Sequence, residues 1–183
     1  IDAHLDGFGL PLLIMSIFLY LKDKKIISLI FLGLSFSIKP VGLLLVPIFF
    51  LNEKKFTDKI KVIVIPFAAF FVQFIPYIFS SNPFEMFFVY TKNWSFNGII
   101  FNLLNAFVHN SQTTRLICAA LMIVALIPLF FSKKEWIDKF YYSIILLFIF
   151  SPVVHPWYIT WLAILLPIFP RWSGFALISL CSL

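Results

Sequence analysis

The sequence predicts an all-α polytopic membrane protein, on the evidence of its composition and the length of its apolar runs. Hydrophobic residues make up 62% of the 183 residues, and the mean hydropathy is +1.02. Charged residues account for only 12%, whereas soluble domains carry about 25%. Apolar runs longer than about 18 residues lie between lysine-rich stretches, which favours spanning helices over barrel strands.

Seven apolar segments predict one transmembrane domain over residues 1–183, with about five to six transmembrane helices plus a broken hairpin. The segments are 8–21, 26–51, 62–79, 116–131, 140–154, 157–170 and 173–183. The first is short for a span unless its helix begins near Asp6, whose carboxylate can cap the helix N-terminus. The chain starts without Met and ends inside an apolar run, so we expect it to be part of a longer protein.

The stretch 26–51 decides the topology, because lysines flank it and Lys39-Pro40 lies in its middle. A single crossing would leave five Lys and Arg residues inside and eight outside, against the positive-inside rule. A hairpin of two short helices places eleven basic residues inside and Lys39 at the hairpin tip. Pro40 favours the hairpin, because it removes a backbone donor and disfavours helical geometry at Lys39.

The hairpin topology confines the candidate chemistry to one side of the membrane. The predicted cytoplasmic loops are 22–25, 52–61 and 132–139, and the predicted outer loops are 1–7, 80–115 and 151–158. All three histidines (His4, His109 and His155), together with Asp2, Asp6 and Glu85, then lie on the extracytoplasmic side.

The net charge of +6 is explained by lysine in the cytoplasmic loops, not by nucleic-acid binding, since no basic helix or stacking motif accompanies it.

Cys118 and Cys181 lie far apart in apolar runs without metal-ligand spacing, so we interpret both as packing residues. Without a P-loop, G-x-G-x-x-G, G-x-S-x-G or H-E-x-x-H pattern, the sequence does not support ATP-driven transport or serine hydrolase chemistry.

Two motifs place charged groups near the outer membrane edge. Asp2-x-His4-x-Asp6 has groups that can bind a metal, position a sugar or phosphate, or transfer a proton; the alternative is a helix cap beside two solvated side chains. Lys39 can neutralise a phosphate; the alternative is a lysine that snorkels to the interface. Both alternatives stay open from the residues alone.

Two further outer segments mix aromatic and polar groups. The first, 88–98, contains Trp94 and Asn97 and suits carbohydrate or interfacial lipid, unless Trp94 only belongs to an aromatic belt. The second, 151–158, interrupts an apolar run with two prolines and His155. Such a break is tolerated where it faces protein or a cavity, and His155 can act as an acid or base, bind phosphate, or simply be satisfied by its neighbours.

Together, four motifs resemble the GT-C superfamily of integral-membrane glycosyltransferases, in particular prokaryotic mannosyltransferases that use polyprenyl-phosphate mannose. The motifs are Ala3-His4-Leu5-Asp6-Gly7, Ser37-Ile38-Lys39-Pro40, Trp94-Ser95-Phe96-Asn97-Gly98 and His155-Pro156-Trp157-Tyr158. The resemblance implies an inverting transfer in which an extracytoplasmic acceptor hydroxyl attacks the anomeric carbon of a lipid-phosphate sugar and the lipid phosphate leaves.

The resemblance also implies roles and partners. Asp6 and His4 would be catalytic, Lys39 and His155 would bind the donor phosphate, and the sugar or acceptor would contact Asp2, Trp94, Asn97, Trp157 and Tyr158. The partners would be a lipid-linked sugar donor, a glycan, lipid or protein acceptor, and membrane lipids, with no nucleic acid. The family's main acid usually lies upstream of the region covered here, so we expect this chain by itself to be inactive. No metal site is assigned, and a divalent metal stays an open alternative.

Two other classes of function are compatible with the sequence. A polytopic transporter or lipid flippase would also have an intramembrane lysine and a broken helix, although the ionisable groups cluster at one face and no repeat relates the halves. A non-catalytic membrane scaffold subunit would tolerate substitution of the outer polar motifs.

Overall fold

The computed structural model describes residues 6–77, 85, 89, 94–167 and 170–181. These residues form helices joined by turns and include no β-strand, so the all-α prediction is confirmed for them. The chain divides into two compact units, Ile1–Pro83 and Phe84–Leu183, and each is described by itself. The single transmembrane domain stays a prediction.

In its described residues, the first unit contains four α-helices and two short 3-10 helices. In chain order these are α1 (Asp6–Leu21), α2 (Lys25–Phe36), a 3-10 helix (Pro40–Leu44), α3 (Leu45–Asn52), α4 (Phe56–Val72) and a second 3-10 helix (Ile75–Tyr77). Helix α2 is central, since it packs against both α1 and α4. Helices α2 and α4 approach each other closely at Gly33, which has no Cβ. A Cβ there would meet the carbonyl oxygen of Pro66 and lie 2.8 Å from the Cβ of Ala69.

The predicted break in 26–51 is confirmed. Helix α2 ends at Phe36, and a 3-10 helix begins at Pro40. Between them, Lys39 is extended, with φ −153° and ψ 136°. A proline disfavours helical geometry at the residue before it, which accounts for the conformation of Lys39.

The two arms of the broken stretch return to the same end of the first unit. Lys25 Nζ, at the start of α2, donates to Glu53 Oε2, directly after α3, at 2.8 Å. Within this unit the chain therefore turns back on itself and brings Lys25 and Glu53 together, as the hairpin prediction requires, and the membrane topology stays a prediction. Each arm is 12 or 13 residues long, about 18–20 Å as helix, which is less than the roughly 30 Å of a bilayer core.

In its described residues, the second unit contains five α-helices and one 3-10 helix. They are α5 (Ile99–Val108), α6 (Ser111–Phe131), α7 (Trp136–Phe150), the 3-10 helix (Pro156–Ile159), α8 (Thr160–Ala163) and α9 (Trp172–Cys181). Helix α7 is central, since it packs against α5, α6 and α8. Its Phe140, Tyr141 and Ile144 are almost fully buried, as is Trp161 of α8.

Of the helices in the described ranges, α6 alone has the length and apolar composition to cross a bilayer. It has 21 residues and a mean hydropathy of 2.3 in its most apolar window, of which 17% is buried. Shorter apolar helical stretches run over Gly7–Leu21, Lys25–Phe36, Pro40–Asn52 and Ile99–Val108. The count of five to six transmembrane helices is not confirmed and stays a prediction.

Two parts of the second unit differ from the sequence expectation. The predicted outer loop 80–115 contains α5 and the first turn of α6. The apolar segment 157–170 is not one continuous helix, because its described part consists of a 3-10 helix, the four-residue α8 and a turn. Pro167 is the last residue of that turn, and a proline ring clashes with the preceding helical turn.

Candidate functional site

Two of the four sequence motifs lie side by side in the second unit. Phe96 N donates to the carbonyl oxygen of Pro152 at 2.9 Å, and Val154 N donates to the carbonyl oxygen of Phe96 at 2.7 Å. These bonds form an isolated β-bridge between the segments 94–98 and 151–154. The bridge fixes the first segment directly beside the residues that lead to His155.

Local sequence explains why the two segments meet. Helix α7 ends at Phe150, since Pro152 disfavours helical geometry at Ser151. The freed Ser151 Oγ then donates to the carbonyl oxygen of Val153 at 2.7 Å. Gly98 permits the close approach, because a Cβ there would lie 2.7 Å from the carbonyl oxygen of Ser151 and 3.0 Å from the Cα of Pro152.

His155 belongs to a cluster of rings that we call the aromatic stack: Phe96, His155, Trp157 and Tyr158. The imidazole stacks on Phe96, with ring centroids 4.5 Å apart and an interplanar angle of 22°. It also stacks on Trp157, at 4.3 Å and 6°, and Tyr158 meets it edge-on at 5.2 Å and 85°. Such ring contacts hold an imidazole in one plane, which directs its two nitrogens along the edge of the stack.

The aromatic stack is open to a ligand on part of its surface. Phe96 is 46% exposed and Trp157 is 39% exposed, while Val153 and Val154 beneath them are buried. Asn97 is exposed beside Phe96 and has a left-handed backbone, with φ 53°, which asparagine tolerates better than most residues. Exposed ring faces next to an amide and an imidazole edge can hold a polyhydroxylated ring and donate hydrogen bonds to an anionic oxygen.

Arg115 positions the start of the first segment. Its Nη2 donates to the carbonyl oxygen of Trp94 at 2.5 Å, and its guanidinium lies 5.2 Å from the centroid of Phe101. Phe101 is buried at the base of α5, and the Trp94 ring is 54% exposed. Arg115 therefore ties α6 to the segment that carries Trp94 and Asn97.

The other predicted site residues are placed only in part. Asp2 and His4 lie outside the described residues, as does the side chain of Asp6, whose backbone begins α1. Lys39 is half-buried in the first unit and directly precedes the 3-10 helix after the break. The structure thus brings together Asn97, His155 and their neighbours within the second unit, whereas Lys39 belongs to the first. Their assigned roles stay predictions.

A buried polar cluster in the first unit was not anticipated from the sequence. Glu53, only 6% exposed, accepts hydrogen bonds from Tyr20 Oη at 2.9 Å and from Lys25 Nζ at 2.8 Å. Asn52 Nδ2 donates to the Tyr20 hydroxyl at 3.2 Å. The hydrogen bond to Glu53 raises the pKa of the Lys25 ammonium above its ordinary value. This cluster fastens the hairpin ends.

The sequence also does not predict roles for Phe96 and Arg115. Phe96 lies in the same motif as Trp94 and Asn97, and that position is the one feature of the sequence that points to its place in the stack. Arg115 was counted as an outer-loop charge, although an arginine in the first turn of an apolar helix indicates a specific partner. In the described ranges, no group of three or more His, Cys, Asp or Glu residues can hold a metal ion.

Comparison with known proteins places this site within a matched region. Residues 94–181 match the family model for the MptB C-terminal domain. MptB is a mannosyltransferase of the GT-C type, so the match supports the family that the motifs resemble. No curated protein and no solved structure matches the chain. Over residues 94–181, slightly less than half of its length, the chain is similar to the C-terminal domain of MptB.

Proposed function

We propose that this chain is part of a membrane glycosyltransferase that moves a mannosyl or other hexosyl group from a polyprenyl-phosphate donor to an extracytoplasmic glycan, lipid or protein acceptor. The observation that supports it best is the match over residues 94–181, because that region contains the whole aromatic stack. The match favours mannosyl transfer and a membrane location.

The proposed reaction is an inverting displacement. The acceptor hydroxyl loses its proton to a base and attacks the anomeric carbon, while the bond from that carbon to the phosphate oxygen breaks and the lipid phosphate leaves. In this proposal the base is Asp6 or His4 or an acid outside this chain. The charge that develops on the leaving phosphate needs fixed donors, and we assign this role to His155 and Lys39.

Sugar and acceptor binding is assigned to the groups around His155. Trp94 and Trp157 offer exposed ring faces, Tyr158 is half-buried beside Trp157, and Asn97 is exposed and offers an amide. All four lie within or directly beside the bridged segments. Asp2 completes this proposed set from the first motif. The stacking of His155 supports a phosphate role, because ring contacts that fix the imidazole plane reduce the reorganisation that a hydrogen bond to a phosphate oxygen requires.

The extracytoplasmic location of the site follows from the predicted topology. The shared end of the loops 22–25 and 52–61 supports it, since two lysine-rich loops that meet at one end belong on one side of the membrane.

The test uses the full-length protein in detergent, with radiolabelled polyprenyl-phosphate mannose as donor. His155→Ala should lower kcat about 100-fold or more, the usual cost of removing one group that stabilises developing charge. The matched control is His109→Asn, because His109 is an exposed histidine with a left-handed backbone that asparagine also adopts. Lys39→Ala should behave like His155→Ala, and Lys39→Arg should recover part of the rate.

The alternatives predict different results. Equal transfer by wild type and His155→Ala would overturn the assignment of His155 to the donor phosphate. Movement of an intact lipid-linked sugar across vesicles without sugar transfer would favour a flippase. Normal growth of cells that carry both His155→Ala and Lys39→Ala would favour a scaffold.

A further inference from the structure

A second surface with its own chemistry belongs to the first unit. The loops 22–25 and 52–61 contain seven lysines and three acidic residues, a net charge of +4 in 14 residues. The hydrogen bond between Lys25 and Glu53 joins the two loops. Charges that are 30 residues apart in the chain therefore share one end of the unit. We call this end the basic surface; its lysines are Lys22, Lys24, Lys25, Lys54, Lys55, Lys59 and Lys61.

Only two lysines of the basic surface form ion pairs with the acidic residues in the same loops. Lys25 pairs with Glu53 at 2.8 Å and with Asp23 at 3.7 Å. Lys61 pairs with Asp58 at 2.8 Å. The other five lysines make no ion pair with an acidic residue that the structure describes. The surface thus keeps a net positive charge after its internal pairs are counted.

Lys24, Lys54 and Lys55 are the exposed centre of this charge. Lys24 directly precedes Lys25, and Lys54 directly follows Glu53, so these two lysines flank the bond that joins the loops. Lys24 and Lys55 also stand at the starts of α2 and α4, and neither helix has a side-chain cap there. The positive ends of two helices therefore add to the field of the lysines.

The basic surface borders an exposed apolar band. Phe56 is 74% exposed, Leu21 is 65% exposed and Ile26 is 54% exposed, and each follows or precedes a lysine in the chain. Two lysines also lie along aromatic rings: Lys22 Nζ is 5.7 Å from the centroid of Phe18, and Lys59 Nζ is 5.1 Å from that of Phe50. An ammonium over an aromatic ring keeps its charge next to apolar surface, an arrangement that suits the membrane interface.

We propose that the basic surface binds the headgroups of anionic phospholipids, with the lysines on the lipid phosphate and the apolar band against the acyl chains. Charge complementarity selects an anionic partner, and the adjoining exposed Phe56 and Leu21 select a lipid over a free phosphate or a nucleic acid, neither of which covers apolar side chains. This proposal does not depend on the transferase reaction.

The test measures phosphatidylglycerol binding to the full-length protein in a neutral detergent, by native mass spectrometry. Lys54→Gln/Lys55→Gln should bind phosphatidylglycerol about 30-fold more weakly, since each lysine near an anionic lipid surface contributes about 1 kcal/mol, which is about fivefold in affinity. Lys54→Arg/Lys55→Arg should bind normally. The matched control is Lys133→Gln/Lys134→Gln, because these are also two adjacent exposed lysines in a turn between helices.

Four results would overturn the proposal. They are equal wild-type binding of phosphatidylglycerol and phosphatidylcholine, an equal loss of binding in the control variant, displacement of the lipid by inorganic phosphate at equal concentration, and tighter binding of a short oligonucleotide than of the lipid. Surface Lys→Gln changes usually leave stability nearly unchanged, and the elution profile of each variant checks that it is folded.

Discussion

Gly98→Ala tests whether the bridged segments form the site, and its cost follows from the local packing. The backbone at Gly98, with φ −81° and ψ 113°, suits alanine, so the substitution causes no conformational strain. The added Cβ would instead lie 2.7 Å from the carbonyl oxygen of Ser151, and 3.0 Å from both the Cα and the carbonyl oxygen of Pro152. Ordinary contacts are 3.4–4 Å, and backbone atoms cannot rotate away, so the two segments must separate.

The magnitude has three parts. Forcing a methyl group into packed surroundings costs about 1–3 kcal/mol. Separation also weakens the bonds that join Phe96 to Pro152 and Val154, each of which contributes about 1 kcal/mol. The smaller entropy of the unfolded alanine chain offsets about 0.4–1 kcal/mol. We expect a net loss of roughly 1–3 kcal/mol in the free energy of unfolding.

The assay is denaturant unfolding in detergent, together with sugar transfer by the same preparation. Gly7→Ala is the matched control for unfolding only, because an added Cβ at Gly7 has no atom within 4 Å, whereas Gly7 itself follows the proposed base Asp6. Gly98→Ala should lose both stability and transfer, since Phe96 moves away from His155, while Gly7→Ala should keep its stability. If Gly98→Ala unfolds like Gly7→Ala and turns over like wild type, the close contact between the segments is refuted.

Three further predictions concern the first unit. Glu53→Gln should lower the free energy of unfolding, measured in denaturant, by about 1–2 kcal/mol. This loss is smaller than that from breaking a fully buried ion pair, because Lys25 can reach solvent. An unchanged free energy of unfolding would show that the cluster does not fasten the hairpin. The folded state raises the pKa of Lys25, so its contribution to the free energy of unfolding is complete below the ordinary lysine pKa of 10.5. That contribution disappears as the pH rises through the higher folded pKa. Unfolding measured from pH 8 to 12 should show this loss in wild type and not in Glu53→Gln. Gly33→Val should destabilise the unit by at least about 1–3 kcal/mol, since its side chain meets the backbone of Pro66; thermal unfolding like that of wild type would contradict the α2–α4 contact.

The structural features that the sequence predicts most directly are those with a local cause. Pro40 acts on the residue before it, so the break at Lys39 follows from covalent geometry and was correctly placed. The same rule marks the end of α7 before Pro152. Helix α5 lies inside a predicted loop, because its ten residues are too few to cross a bilayer, although apolar residues recur in it at helical spacing.

What the sequence by itself determined is the all-α class, the apolar segments and the break at Pro40, because these depend on composition and on neighbouring residues. Only the tertiary structure decided that Phe96 stacks on His155 and that Glu53 holds Lys25 and Tyr20. These partners are far apart in the chain, and periodicity carries no information about which distant side chain fills a given space. Packing chooses them through close approaches such as that of Gly98 to Ser151, which depend on the folded backbone.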